Sequence, residues 1–307
     1  MGIIISLYKK EFISRYDKDG LIPYYSYLDF KDIHFVEETF KNTRGNEIHF
    51  YRYYYDNCRK DKIVFFCPGI GPGHTAYLSE INEFAKRGFL VYTIDYTGCD
   101  KSSGKNLVSI YEPTRDINEL LNKISIKEEV IIVGHSLGAF SALNLLRIRN
   151  DIKTGVIISP FISFPLLLEQ VIKYKFVRNS IIKYENKTNA EYIDDNYDFL
   201  KTTNKNVLLI HSEDDAVVHY DNSTKIAKEL NNPNLQFIVK TDRGHNPNYT
   251  LEAVKYMRES FGEYNRLVKN KELKTFEEKK AFLQGKSITK MTEQDQEVID
   301  KIVDFIK

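Results

Sequence analysis

The sequence predicts an α/β fold: a mostly parallel, doubly wound sheet with an antiparallel start. Two observations carry this prediction. Short β-branched apolar runs alternate with amphipathic stretches of helical period along most of the chain, and the apolar runs are nearly continuous. Strands of that kind belong in a sheet covered on both faces, and their alternation with helices is typical of parallel crossover units.

The elements follow in order along the chain. The opening hairpin is expected from residues 33–40 and 47–55, which the turn-forming residues Thr43 to Asn46 separate. Later strands are predicted at Ile63–Cys67, Leu90–Ile94, Val130–Val133, Val156–Ile158, Val207–Ile210 and Phe237–Val239. Between them, helices of crossover length are predicted at about Tyr77–Arg87, Pro113–Ile124, Leu137–Arg149 and Asn222–Leu230.

Two segments stand outside this alternation, and we interpret the chain as one domain (residues 1–307) that carries both. Residues 161–199 replace one crossover with a long apolar helical stretch, which we predict to be an inserted cap. Residues 251–307 form a charged, helical C-terminal segment. Within it, Lys269–Lys290 is predicted to be a solvated surface excursion, with a dimer contact as the alternative.

Composition limits the possible partners. The 307 residues carry 44 basic and 43 acidic side chains, a net charge of +1, so no basic surface for nucleic acid is expected. Three cysteines, Cys58, Cys67 and Cys99, show no CxxC spacing, which favours reduced thiols in a cytoplasmic protein over disulfides or a zinc site. The apolar run Gly2–Leu7 is too short to span a bilayer, so no stable membrane insertion is expected. No cofactor or metal is implied.

The strongest chemical motif is Gly134-His135-Ser136-Leu137-Gly138, between a predicted strand and a predicted helix. A sharp turn at that junction presents a serine hydroxyl above the sheet edge, and the two glycines allow the backbone to bend there. Ser136 is therefore the candidate nucleophile.

A serine hydroxyl needs a base, and the base needs an acid that holds its tautomer. The acid candidates are Asp214 and Asp215, directly after the strand Val207–Ile210, and the base candidate is His245, after the strand Phe237–Val239. Both positions are carboxyl ends of strands, where open α/β sheets place their sites.

The remaining histidines have other expected roles. His219 is the one serious rival to His245. His135, next to the candidate nucleophile, is expected to point to the other side of the turn and to pack rather than act as the base. His211 is expected to be a hydrogen-bonded core residue, and His74 to lie at the site entrance.

In these motifs the chain resembles the serine-nucleophile branch of the α/β-hydrolases, and is most similar to the esterase, monoacylglycerol-lipase-like and serine-aminopeptidase-like group. The group's Gly-x-x-Asp-x-x-Val pattern lines up with Ser212, Asp215 and Val218, which favours Asp215 over Asp214 as the acid. Its glycine-rich loop before the first helix appears as Pro68-Gly69-Ile70-Gly71. Two departures are Pro68, where the family usually has His, and Asp100, where it has Gly, so the packing of these loops is expected to differ.

The resemblance implies an α/β-hydrolase fold and an oxyanion hole made by the backbone N–H groups of Ile70 and Leu137. It also implies a serine hydrolase in which Ser136, His245 and Asp215 cleave a carboxylic ester of a small acyl substrate through an acyl-enzyme. A peptidase or thioesterase of the same fold remains open, as does a non-catalytic binding module. The oligomeric state is left undetermined.

Overall fold

The computed structural model describes residues 2–59, 61–192 and 196–307. The opening hairpin is formed by β1 (His34–Lys41) and β2 (Glu47–Tyr54), which pair antiparallel from His34 opposite Tyr54 to Lys41 opposite Glu47. Asn42 closes the turn, because its side-chain oxygen accepts the backbone N–H groups of Arg44 and Asn46.

Within the described residues, eight strands form a single sheet in the order β1-β2-β4-β3-β5-β6-β7-β8. Strand β2 pairs antiparallel with both β1 and β4, and every pair from β4 to β8 is parallel. The predicted fold class is confirmed. The remaining strands are β3 (Lys62–Cys67), β4 (Leu90–Ile94), β5 (Glu129–His135), β6 (Thr154–Ile158), β7 (Asn206–Ser212) and β8 (Leu235–Lys240).

Helices cover both faces of the sheet. Successive side chains of a strand point to opposite faces, so Val64 and Phe66 of β3 enter one core while Ile63 and Phe65 enter the other. The first core is closed by α2 (Leu78–Lys86) and by α12 (Gln296–Ile306). The second is closed by α3 (Glu112–Lys123), α4 (Leu137–Ile148) and α8 (Thr224–Glu229). This burial on both faces explains the continuous apolar strands.

The segment predicted as a cap carries α5 (Phe164–Val171), α6 (Lys175–Thr188) and the start of α7 (Tyr197–Thr202); its residues 193–195 lie outside the described part of the chain. An additional helix, α1 (Gly2–Phe12), packs against α6. Helix α1 was not among the elements predicted from the sequence. No helix in the described residues is long and apolar enough to cross a membrane.

The C-terminal segment is helical, as expected: α9 (Leu251–Lys269), α10 (Phe276–Gln284), α11 (Ile288–Met291) and then α12. Most residues of the stretch Lys269–Lys290 are exposed. Its helix α10 packs on α9 and buries Leu283, and Lys286 forms an ion pair of 2.8 Å with Glu263 of α9.

Candidate active site

Ser136 lies at a strained turn between β5 and α4. Its backbone adopts φ 55° and ψ −117°, a conformation that residues other than glycine rarely take. A Cβ on Gly134 would overlap the carbonyl of Gly138, and one on Gly138 would overlap the carbonyl of Cys67. Both positions therefore require glycine, which is the physical reason for the spacing of the motif.

Asp215 and His245 are brought together at the carboxyl ends of β7 and β8. The Nδ1 atom of His245 lies 2.7 Å from Oδ2 of Asp215. The other carboxylate oxygen accepts the backbone N–H groups of Val217 at 2.8 Å and Val218 at 3.0 Å. Burial opposes ionisation of Asp215, but hydrogen bonds from His211 and His245 outweigh it and lower the pKa, so the carboxylate is charged.

The neighbouring Asp214 has a different function in the fold. Its Oδ1 accepts the backbone N–H of Gly244 at 2.9 Å, and its Oδ2 accepts Arg258 at 2.8 Å. Burial opposes ionisation, but the Ser212 hydroxyl and Arg258 lower the pKa of Asp214 to about 2. Asp214 thus supports the loop that carries His245, and Asp215 is the carboxylate that contacts the His245 ring.

His211 is a second histidine on Asp215, and sequence reasoning placed it only as a core residue. Its Nε2 lies 3.2 Å from Oδ2 of Asp215 and 3.0 Å from the carbonyl of Val218. Both of those atoms accept, so Nε2 carries the proton, and Nδ1 accepts the hydroxyl of Thr224 at 2.8 Å. His211 is therefore bonded at both nitrogens and serves to hold Asp215.

His135 is buried, and its ring packs beside that of His245. Its ring centroid is 4.7 Å from that of His245, and its Nε2 lies 2.7 Å from the backbone carbonyl of His245. Burial, with the nearby His245 as a smaller cause, lowers the pKa of His135 to about 3. The neutral ring therefore donates from Nε2 to that carbonyl and accepts the Tyr77 hydroxyl at Nδ1, 3.1 Å away. Ser159, a residue not predicted from the sequence, donates to the same carbonyl at 3.1 Å.

Two further histidines, His74 and His219, lie outside this cluster. His74 is buried and places Nδ1 2.8 Å from Asp95 and Nε2 2.8 Å from the Tyr53 hydroxyl, so it is a core residue and not part of the site entrance. His219 is exposed, and its backbone N–H donates to Gln170 at 2.9 Å. In the described residues no hydrogen bond joins Ser136 to His245; such contacts commonly tighten only with substrate.

The residues predicted for the oxyanion hole lie next to Ser136. A Cβ on Gly69 would stand 3.3 Å from the Ser136 Cβ, so the loop before Ile70 touches the turn. Leu137 is the first residue of α4, and the first N–H groups of a helix have no partner within it. Of the two departures from the family, Pro68 offers its carbonyl to the Tyr96 hydroxyl at 2.9 Å, and Asp100 pairs with Lys18 at 2.8 Å.

Ser136 opens into an apolar cavity of about 200 Å³. The wall comes from α1, from α5 and the loop before it, from the loops that carry Ile70 and Ile110, and from the loop that follows Asp215. The lining residues are Tyr8, Phe12, Ile70, Ile110, Leu137, Phe161, Phe164, Leu167, Leu168, Val171, Val217 and Val218. None of them carries a charge. In the described part of the chain, no group of three or more histidine, cysteine, aspartate or glutamate side chains is placed to hold a metal ion.

Comparison with known proteins agrees with this architecture. The model of the serine aminopeptidase S33 family matches residues 59–207, just under half of the chain; the range contains Ser136 and ends before Asp215 and His245. No curated protein sequence matches the chain.

Solved structures resemble the chain over most of its length. Pyrococcus furiosus esterase Pf2001 superposes with a TM-score of 0.58 at 19% identity, covering 84% of this chain and 97% of its own. Est1E of Butyrivibrio proteoclasticus, solved with ferulic acid bound, gives 0.57 at 17% identity, with coverages of 74% and 98%. Mouse alpha/beta hydrolase domain-containing protein 10 gives 0.52 at 16% identity, with coverages of 69% and 91%. At these identities the neighbours show the fold, and the family model supports a hydrolase.

Proposed function

We propose that this chain, a member of the α/β-hydrolase superfamily, is a serine hydrolase that cleaves carboxylic esters with an apolar acyl group. One observation carries the proposal: the Asp215–His245 pair stands at the same sheet edge as Ser136, whose strained turn faces an uncharged cavity. The pair supplies an oriented base, the turn exposes the hydroxyl, and the cavity accepts a hydrocarbon chain.

The reaction follows from these positions. Ser136 attacks the ester carbonyl and His245 takes its proton, while Asp215 holds the Nδ1 proton of His245 and stabilises the imidazolium. The N–H groups of Ile70 and Leu137 bind the oxyanion, and each such donor contributes about 3 kcal/mol in the transition state. His245 then protonates the leaving alcohol. In the second half of the reaction His245 takes a proton from water, the water oxygen attacks the acyl-enzyme carbonyl, and His245 returns the proton to the Ser136 oxygen as the acid leaves.

A peptidase is the second candidate, because the matching family model is that of serine aminopeptidases. An aminopeptidase must bind the ammonium group of a peptide N-terminus, and a buried charge requires a partner of opposite sign. Among the described residues, no aspartate or glutamate lines the cavity next to Ser136. The lining therefore favours an uncharged acyl group over an amino-terminal residue.

Two measurements test the proposal. A fluorophosphonate probe is expected to label the folded wild-type protein but not Ser136→Ala. Without the probe, p-nitrophenyl esters are expected to be hydrolysed by the wild type and not by Ser136→Ala. His245→Ala should lose activity, whereas His219→Ala, on the exposed rival, should keep it. Failure of the probe to label the wild type, or equal ester hydrolysis by Ser136→Ala, would refute the proposal. Aminoacyl p-nitroanilides and acyl-CoA thioesters, assayed in parallel, identify the preferred leaving group.

A further inference from the structure

The cavity next to Ser136 is walled in part by the N-terminal helix α1, which lies far from the catalytic motifs in sequence. Tyr8 and Phe12 both line it. Their spacing of four residues places them on one face of the helix, and their rings stack with centroids 5.7 Å apart. The ring of Tyr8 also lies 6.5 Å from that of Phe164 on α5, so α1 and the cap meet across the cavity.

A buried hydrogen bond holds Tyr8 in the wall. Its hydroxyl donates to Glu185 of α6 at 2.7 Å. The second carboxylate oxygen of Glu185 accepts the backbone N–H of Ile110, another lining residue, at 3.2 Å. One buried carboxylate therefore joins three separate parts of the wall: α1, α6 and the loop before α3.

The chain directly after α1 is tied to the body of the protein. The guanidinium of Arg15 donates to the carbonyls of Asp100, Ser102 and Gly104 at 2.5, 3.0 and 2.8 Å. Tyr16 exchanges backbone hydrogen bonds with Gly98 and Asp100 at 2.9 and 2.8 Å. With anchors at Tyr8 and after its C-terminus, α1 is a fixed part of the wall.

The exposure of the lining residues separates the open side of the cavity from the closed side. Ile70, Val171 and Val217 are 42–56% exposed and form the rim, whereas Tyr8 is 3% exposed and Phe12 is half-buried. The α1 side of the cavity is thus closed at Tyr8 and less exposed than the rim at Phe12. The opposite face of the same helix points to solvent, with Ile3 80% and Leu7 57% exposed.

We propose that α1 sets the acyl chain length: Tyr8 and Phe12 close the end of the cavity and restrict the enzyme to esters of short to medium acyl chains. The inference rests on the proposed function. With a water molecule's share of liquid volume near 30 Å³, the cavity has room for roughly six or seven groups of that size, so acyl chains of about six carbons are expected to fill it. The motifs around Ser136, Asp215 and His245 do not include α1, so they do not predict this limit on acyl chain length.

The test is a chain-length profile with p-nitrophenyl esters from acetyl to dodecanoyl. Phe12→Ala removes part of the α1 wall without touching the Tyr8 hydrogen bond to Glu185. It is expected to raise the ratio of kcat/KM for octanoyl over butyryl esters by about tenfold or more, since one methylene in an apolar pocket changes this constant by roughly 10- to 200-fold. Leu7→Ala, on the exposed face of the same helix, is the matched control and should leave the ratio unchanged. Phe12→Leu, a milder change, should shift the ratio in the same direction by less.

The outcomes separate this inference from the proposed function. Absence of ester hydrolysis and of fluorophosphonate labelling in the wild type would refute both. An active wild type with unchanged ratios in Phe12→Ala and Phe12→Leu, both labelled normally at Ser136, would overturn the inference alone. If Phe12→Ala does not yield labelled protein, the ratio measured for Phe12→Leu decides, and a ratio equal to that of Leu7→Ala overturns the inference.

Discussion

Replacing Asp215 by asparagine preserves the shape of the side chain and changes one acceptor group into a donor. The surroundings determine where that donor lies. At the Oδ1 position an amide NH₂ would face two backbone donors, the N–H groups of Val217 and Val218. The oxygen of the asparagine must therefore stay there, and the NH₂ group must face His245 and His211.

This orientation disables the base. Facing a donor, His245 must accept at Nδ1, and its proton then moves to Nε2, the atom that should take the proton of Ser136. His211 cannot accept from the asparagine NH₂ group in place of His245, because its Nε2 proton is also bonded to the carbonyl of Val218. We expect kcat for p-nitrophenyl butyrate to fall on the order of 10⁴-fold, the size typical of the wrong tautomer in a serine triad.

Asp214→Asn is the matched control. Its oxygen can keep the hydrogen bond to Gly244 while its NH₂ group faces Arg258, whose ion pair with Asp214 is partly exposed. Exposed pairs contribute about 0–1 kcal/mol, so activity within roughly fivefold of the wild type is expected. The assay measures kcat per fluorophosphonate-reactive site. The reasoning is refuted if Asp215→Asn stays within tenfold of the wild type, or if Asp214→Asn loses as much as Asp215→Asn.

Three further predictions concern the turn, the base and a buried carboxyl group. Gly138→Ala forces a Cβ onto the Cys67 carbonyl, so it should lower the free energy of unfolding in urea by about 1–3 kcal/mol and abolish fluorophosphonate labelling. Gly262→Ala in α9, where the added Cβ meets open space, should be neutral or stabilising. Equal effects of the two substitutions would contradict the steric requirement at Gly138. His135→Phe removes a donor to the His245 carbonyl and should lower kcat on the order of tenfold with little change in KM. His135→Gln, which can still donate a hydrogen bond, should recover part of the lost kcat. An unchanged kcat in His135→Phe would contradict the view that His135 positions His245. Burial raises the pKa of Glu80 to about 7, opposed by weaker hydrogen bonds, so the folded state binds its proton more tightly than the unfolded state. The stabilisation from this tighter proton binding, up to roughly 3 kcal/mol, is full below about pH 4.5 and is lost as pH rises to about 7. Glu80→Gln should therefore show a smaller fall in the free energy of unfolding between pH 5 and 7.5 than the wild type. An identical fall in both proteins would contradict the raised pKa of Glu80.

Much of the fold followed from local pattern. Continuous apolar strands predicted a sheet covered on both faces because a strand buried on both sides has no polar face to alternate with, and α2, α12 and α4 provide that cover. The turn at Ser136 was predictable because its strain demands glycine two residues before and two after. The strand ends also indicated the region of Asp215 and His245.

The identity of the contacts within that region was less accessible. Asp214 and Asp215 are adjacent residues of the same type, and only the direction of each side chain assigns Asp215 to the base and Asp214 to Gly244 and Arg258. The histidine within the serine motif was assigned to packing, although its ring donates to the backbone of the base. Loops after strands have no fixed side-chain period, so spacing alone does not predict these directions.

The sequence by itself determined the fold class, the strained turn that carries the candidate nucleophile, and the strand ends that carry the candidate acid and base. These depend on periodicity and on backbone conformations that few residues adopt. The tertiary structure alone decided what surrounds them: the second histidine on Asp215, the donors to the His245 carbonyl and the N-terminal helix in the cavity wall. Tyr8 and Glu185 are 177 residues apart, and their contact depends on how α1 packs on α6. A four-residue spacing such as that of Tyr8 and Phe12 fits one face of a helix, but a period describes a helix and not the surface on which it packs.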